Sequence, residues 1–386
     1  MMKKLALLCC VLMLSGCSSL KFWQSDEDRA VQPAKLEKFD EEVRLRKVWS
    51  RSAGSGQDPL YASLEPAIDD TMIFVADGKG RVTAMDRASG QVAWNRKLDR
   101  PLSGGVGLGG GLVLVGDLRG NLFALDASSG DTRWRARLST ELISVPAANN
   151  QVVVVQALDA RLVGLNPADG EVLWQYTTDS PALTLRGTGN PVLAGNSVIA
   201  GFANGKVVAL NAVTGATLWE NRVALPTGRT ELERIVDIDG TPLLVGDVVF
   251  FTSYQGRAAA ITRGTGSALW YQDMSSHHGP AHGDGQVYIS NDGDAVVALR
   301  ANSGQVLWTN DQLSYRGLTA PAFVDGVVVV ADSDGYIHAL SPVDGRFVGR
   351  DRGGRGGLTV PMLSDGRTLY VLTNNGRLTA YEVERR

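Results

Sequence analysis

One pattern recurs seven times between Asp86 and Ser341: an apolar strand, a small residue, a polar residue, then a turn closed by glycine. The first copy runs from Ala84 through Asp86 and Gly90 to Trp94. The turn glycines are Gly90, Gly130, Gly170, Gly215, Gly266, Gly304 and Gly345. Six of them are followed four residues later by tryptophan, at Trp94, Trp134, Trp174, Trp219, Trp270 and Trp308. Counting 24 residues back from each glycine gives Pro66, Val106, Pro146, Pro191, Pro242, Pro280 and Pro321. A unit this constant in length is a structural module, and a period near 40 restricts the chain to a solenoid, a propeller or another array.

The content of the module selects the propeller. After the proline comes a β-branched run, as in Val152–Val155 or Val327–Val330. A polar turn ending in glycine follows (Asp77 to Gly80, Asp332 to Gly335), then alternation as in Tyr336-Ile337-His338-Ala339-Leu340. The Asp-x-x-x-Gly turn and a short strand carrying tryptophan complete the unit. No helical period separates these strands, so each unit reads as three or four short antiparallel strands. Asp86, Asp126, Asn166 and Asn211 suit their turns because Asx side chains hydrogen-bond locally, while glycine supplies positive φ. Four-stranded units arranged radially are propeller blades.

The ends of the chain set the count at eight. A last strand pair spans Leu369 to Tyr381, and the chain stops before a tryptophan-bearing strand. A spare strand of that type, Val48-Trp49-Ser50, stands at the front without a blade. Pairing the two closes a ring and removes two open sheet edges that invite aggregation. The reading is therefore all-β: an eight-bladed β-propeller of four-stranded antiparallel blades over 48–386, closed by pairing an N-terminal strand with the last blade. Its 45 glycines supply the tight turns, and 44% hydrophobic with 20% charged residues is ordinary for a globular domain.

The first residues read as an address. Lys3-Lys4 precede an apolar stretch, Leu5 to Leu14, too short for a stable transmembrane helix. It ends in Leu14-Ser15-Gly16-Cys17, which resembles a bacterial lipobox. Residues 1–16 are thus expected to be a lipoprotein signal peptide, Cys17 the lipidated first residue and 17–47 a polar tether. Ser18-Ser19 looks like the pattern sorted onward to the outer membrane. Cys9 and Cys10 leave with the signal, so the mature chain keeps only Cys17, itself the residue expected to be acylated, which excludes an intramolecular disulfide, a thiolate metal site and a Cys nucleophile. Without Lys3 and Lys4 the chain has 36 basic against 41 acidic side chains, which lacks the basic footprint of nucleic-acid binding.

Chemical motifs are weak. Gly105-Val-Gly107-Leu-Gly109-Gly110 satisfies G-x-G-x-x-G, but the strand at Val113–Val115 stands where a phosphate-cradling helix would have to begin. His277, His278 and His282 suggest a metal cluster, yet Gly279 and Pro280 interrupt any helix that would align them, and a solvated loop is the expectation. No G-x-S-x-G, H-E-x-x-H or C-x-x-C is present. The tryptophans are expected to pack between blades as amphipathic anchors. No catalytic residue, metal or cofactor is assigned.

Spacing does single out two segments. From tryptophan to the next proline the gap is 12 residues for 134→146, 10 for 270→280 and 13 for 308→321. It grows to 17 for 174→191 and 23 for 219→242. Insertions at equivalent corners of adjacent blades build one surface, and propellers place function in such loops. The first offers Leu183, Leu185 and Arg186, an apolar and cationic anchor; the second offers Asp237 and Asp239 as a polar rim. From the residues alone Leu183 and Leu185 equally suit the filling of a blade's first strand.

The A-x-D-x-x-x-G-x-x-x-W repeat resembles the tryptophan-docking motif of the PQQ quinoprotein dehydrogenases, also eight-bladed. That resemblance implies an alternative, a quinoprotein-like dehydrogenase or ligand-binding propeller, although the adjacent cysteine pair typical of that family is missing from the mature chain. A shared fold does not carry a shared function. The closer resemblance is to the BamB family, propeller lipoproteins of the outer-membrane β-barrel assembly machinery. It rests on the lipobox, on Val48-Trp49-Ser50-Arg51-Ser52-Ala53-Gly54-Ser55-Gly56 entering the ring, and on Leu183–Gly187 and Arg234–Asp239. It implies a non-enzymatic scaffold, lipid-anchored at the periplasmic face of the outer membrane. It also implies that the two insertions contact the periplasmic domains of BamA, with other subunits and unfolded outer-membrane clients as further partners.

Overall fold

The computed structural model describes residues 32–58, 62–181, 183–184 and 189–386. They form eight antiparallel blades and, among the described residues, no helix. Blade 1 comprises Ala67–Ile68, Met72–Ala76, Arg81–Asp86 and Val92–Lys97, and the same order repeats around the ring. Blade 8 takes Leu363–Ser364, Thr368–Leu372 and Arg377–Arg385 from the C-terminus and its outer strand, Val43–Ser52, from the N-terminus. The expected closure is what the structure contains, with Trp49 opposite Ala380. One addition was not anticipated: Ser63–Leu64 runs parallel to Gly104–Gly109 as a fifth strand of blade 2.

Each tryptophan ties its blade to the next. The indole N–H groups of Trp49, Trp94, Trp134, Trp174, Trp219, Trp270 and Trp308 donate to carbonyls of Arg87, Ala127, Pro167, Ala212, Arg263, Ala301 and Pro342 at 2.7–2.9 Å. These carbonyls lie in the glycine-closed turn of the following blade, and the indole ring lies flat on its glycine. A Cβ on any of the seven turn glycines would come within 2.4–2.7 Å of the preceding tryptophan ring. The spacing seen in the sequence is therefore a joint: ring, glycine platform and carbonyl acceptor have to arrive together.

Blade 7 lacks the tryptophan. Gly349 stands in its place opposite Ala339, and the space is taken by Val43, whose Cγ2 lies 2.8 Å from where a Cβ would sit. The strand thus starts at Val43, ahead of the boundary expected at Val48. The preceding residues 32–42, expected to be tether, lie along blade 7. Ala34 N–H donates to Ser314 O at 2.9 Å and Glu42 N–H to Val348 O at 2.8 Å. Leu36 packs on the core between blades 6 and 7, and the Phe39 ring lies 5.6 Å from that of Phe347. The signal segment and Cys17 lie outside the described residues.

The residues that precede the innermost strands meet near the ring axis. Asn190 of blade 4 donates to Glu65 Oε1 of blade 1 at 3.1 Å and to Thr241 Oγ1 of blade 5 at 2.7 Å, and accepts Val145 N–H of blade 3 at 2.7 Å. Burial raises the Glu65 carboxyl above the usual range.

Candidate partner-binding face

The tryptophan-to-proline connections all emerge on one face, alongside the hairpin turns such as Asp77–Gly80. Leu183, in the first insertion, is 44% exposed there. Leu185 and Arg186 lie outside the described residues. The second insertion leaves blade 4 at Leu225, 54% exposed, and rises to a turn over 230–234. Thr230 and Glu233 hold that turn reciprocally: Glu233 Oε2 accepts Arg229 and Thr230 N–H, and Glu233 N–H donates to Thr230 Oγ1 at 3.2 Å. The two backbone donors keep the Glu233 carboxyl below its usual range. At the tip stands Leu232, 67% exposed, between Glu231 and the Arg234 guanidinium.

Past the tip the chain turns inward, which corrects the expectation for the acidic pair. Val236, Asp237 and Ile238 are 1%, 2% and 0% exposed. Asp237 is no rim residue; its carbonyl accepts Tyr254 N–H at 2.7 Å in a β-bridge. Asp239 Oδ1 is sealed from solvent, and burial pushes its carboxyl up to about 6, against the pull of Asp237 and His277. The cause is Ile238. A Cβ on Gly201 would sit 2.3 Å from Ile238 Cγ2, and one on Gly189 2.6 Å from its carbonyl. Leu142 does the same between blades 2 and 3, over Gly116 and Gly104. Both residues lie four positions before their prolines, as Leu102 does before Val106. In these three copies the packed module thus begins ahead of the proline position, although the same position is Gly187, Ser276 and Gly317 in others. The residues that do stand out, Leu225 and Leu232, were missed.

The two insertions meet at their bases, through Gly189 against Ile238 and Asn190 against Thr241. Their exposed parts belong to neighbouring blades 4 and 5.

The histidines sit beside this base, with the His277 and His278 ring centres 3.9 Å apart. His277 Nδ1 lies 2.8 Å from Asp292 Oδ1, a hydrogen bond that raises its pKa. His278 is pushed down to about 3, chiefly by burial. The loop is therefore not simply solvated, as the sequence suggested. His282 belongs to the inner strand Ala281–Gly283 of blade 6. No group of three His, Cys, Asp or Glu among the described residues is placed to hold a metal ion. Leu112–Gly116 is a strand, as expected, and the glycine run ahead of it, read in the sequence as flexible turn glycine, is itself the strand Gly104–Gly109 and opens no helix.

A family model described as outer membrane protein assembly factor BamB matches residues 34–101, 78–310 and 292–385. The chain belongs to the BamB family. The outer membrane protein assembly factor BamB of Pseudomonas aeruginosa is 56% identical over 381 residues, 99% of each chain. The crystal structure of BamB from Moraxella catarrhalis matches with a TM-score of 0.80 and 29% identity, covering 88% of this chain and 99% of that one. Quinohemoprotein alcohol dehydrogenase from Comamonas testosteroni matches at 0.65 but 14% identity, covering 89% of this chain and 76% of that one, a likeness of fold alone. BamB membership therefore stands on sequence and fold together, whereas the quinoprotein likeness stands on the propeller only.

Proposed function

We propose that this BamB-family chain is a non-enzymatic scaffold subunit of the outer-membrane β-barrel assembly machinery. It is held at the periplasmic face of the outer membrane by lipid on Cys17, binds the periplasmic domains of BamA, and assists folding and insertion of outer-membrane proteins alongside the other subunits. The observation that carries this reading is the family match over nearly the whole chain. The paired insertions of blades 4 and 5 support its placement. Leu183 and Leu232 are large apolar side chains held out into solvent on one face, as interface anchors are. Leu185 and Arg186 lie between Leu183 and that shared base in sequence and are proposed to join them. Asp237 and Asp239 are assigned a different part from the one expected: they shape the base from which Leu232 projects.

The test is capture of BamA from solubilised membranes by the tagged protein. Leu183→Ala with Leu232→Ala should weaken capture by about 2 kcal/mol or more if both are anchors. The same change should alter stability by about 0.5 kcal/mol or less, since both side chains lie at the surface. Undiminished capture by the stable double variant places the BamA surface elsewhere. Stoichiometric binding of PQQ with Ca²⁺, accompanied by dye reduction, would instead revive the quinoprotein alternative.

A further inference from the structure

We propose that residues 32–42 are a releasable strap on blade 7, and that His338 is the proton-sensitive latch that keeps it shut. Backbone hydrogen bonds to Ser314 and Val348 and ion pairs of Glu42 with Arg346 and of Glu41 with Arg386 hold the strap at its ends. Three kinds of contact hold its middle. Arg316 Nη1 donates to Ala34 O at 2.9 Å and Arg350 Nη1 to Glu37 O at 2.8 Å, so two cations grip the strap backbone. The Arg350 guanidinium also lies 4.8 Å from the centre of the Phe39 ring and 5.1 Å from that of Phe347, clamped between strap and blade. Leu36 completes the contact from the apolar side.

Both cations converge on one buried pair, His338 and Asp332. His338 is 0% exposed, in the strand Tyr336–Leu340. Its Nε2 lies 3.0 Å from Asp332 Oδ2, and its Nδ1 lies 3.1 Å from Arg350 Nε. An arginine nitrogen only donates, so Nδ1 has to be bare, and the ring proton sits on Nε2, facing the carboxylate. Asp332 also accepts Arg316 Nε at 2.7 Å and Tyr336 N–H at 2.8 Å. The remaining charged groups facing the cluster are Asp334, paired with Arg316 at 2.8 Å, and Glu41, which acts on Arg350 through its charge. Blade 6 contributes Asp294, engaged by the backbone of Gly317 and Leu318.

Protonating Nδ1 removes the acceptor that Arg350 uses and sets two cations 3.1 Å apart. Arg350 Nη2 finds no acceptor among the described residues, so with Nδ1 protonated the guanidinium is left to its stacking on Phe347, and its displacement takes the grip on Glu37 and Phe39 with it. Burial lowers the His338 pKa in the shut state, opposed by Asp332 and reinforced by Arg350 and Arg316. The shut strap therefore binds fewer protons than the open one. Its stability is greatest while His338 is neutral and declines as pH falls through the titration of that ring. Within that window the shut-to-open ratio falls by up to about tenfold per pH unit for one coupled proton.

Hydrogen exchange of the mature protein, read by mass spectrometry and corrected for the intrinsic pH dependence, tests this. Protection of 32–42 should fall between pH 7.5 and pH 5, while protection of 206–211 in blade 4 should not. Phe39→Ala should open the strap at both pH values. His338→Gln keeps a donor for Asp332 without a titration, and Arg350→Gln removes the repelled cation while leaving His338; both should abolish the pH dependence of strap protection. Arg350→Gln serves alone if His338→Gln exposes 336–340 at pH 7.5. Protection of 32–42 that is flat with pH in the unsubstituted protein, or that still falls with pH in Arg350→Gln, overturns the proposal.

Discussion

Removing the Trp49 side chain tests the joint that closes the ring. Trp49 is 6% exposed, packs on Gly90 and Tyr370, and donates its N–H to Arg87 O at 2.9 Å. Trp49→Ala leaves a cavity where an indole lay and costs about 3–5 kcal/mol. Trp49→Phe keeps a ring over the glycine but strands the Arg87 carbonyl, and costs about 1–2 kcal/mol. Unfolding entropy near 2.1 cal/mol/K per residue, over a ring of roughly 340 residues, gives about 0.7 kcal/mol per degree. The expected fall in melting temperature is then about 4–7 °C for alanine and about 1–3 °C for phenylalanine. Circular dichroism at 218 nm, a wavelength chosen for strands, follows the transition. Trp219→Ala, at an interior joint with the same geometry, is the comparator and should fall by the same amount if the joints are equivalent. A fall below about 1 °C for Trp49→Ala would refute closure through this joint, since it implies less than about 1 kcal/mol.

Further outcomes follow from single features. Gly130→Ala places a Cβ 2.5 Å from the Trp94 ring at φ +73°, whereas Gly111→Ala, at φ +74°, meets nothing within 4 Å; in denaturant titrations only the first should exceed the roughly 1 kcal/mol of backbone strain. Asp239 has its folded pKa raised from 3.8 to about 6, so its charge disfavours the fold increasingly as pH rises through that range. Asp239→Asn should accordingly melt higher than the parent at pH 7.5, with a smaller difference at pH 4; an equal difference at both would exclude ionisation as the cause. Asp332→Ala leaves the buried Arg316 without its closest carboxylate and should cost about 3–5 kcal/mol by chemical denaturation. Deleting residues 32–42 should lower the melting temperature beyond a deletion ending at residue 31, because Leu36 and Phe39 go with it.

The blade count and the closure were legible because a joint of three parts writes its own spacing. Tryptophan, glycine and the turn carbonyl cannot drift relative to one another without losing contact. The missing tryptophan at Gly349 was visible too, but its replacement by Val43 was not, since that residue belongs to a strand more than 300 positions away in sequence. Gap lengths located the insertions of blades 4 and 5 correctly but carried no direction. Asp237 and Asp239 read as surface because alternating acids in a long loop usually are, and only the packing of Ile238 on Gly201 shows the chain diving at that point. The strap was legible in part: Leu36, Phe39 and Val43 read in the sequence as a docking stripe on one weak helical face, whereas the described segment forms no helix and Val43 opens a strand.

The hydrogen bonds that join Glu65, Asn190, Thr241 and the Val145 backbone make the hub of this wheel a crosspiece rather than a bore. A polypeptide passing between these groups would have to break their hydrogen bonds and leave the buried Asn190 amide without them. The same crosspiece links the footing of the blade 4 and 5 insertions directly to blade 1. A load applied at those insertions therefore has a route across the disc as well as around it.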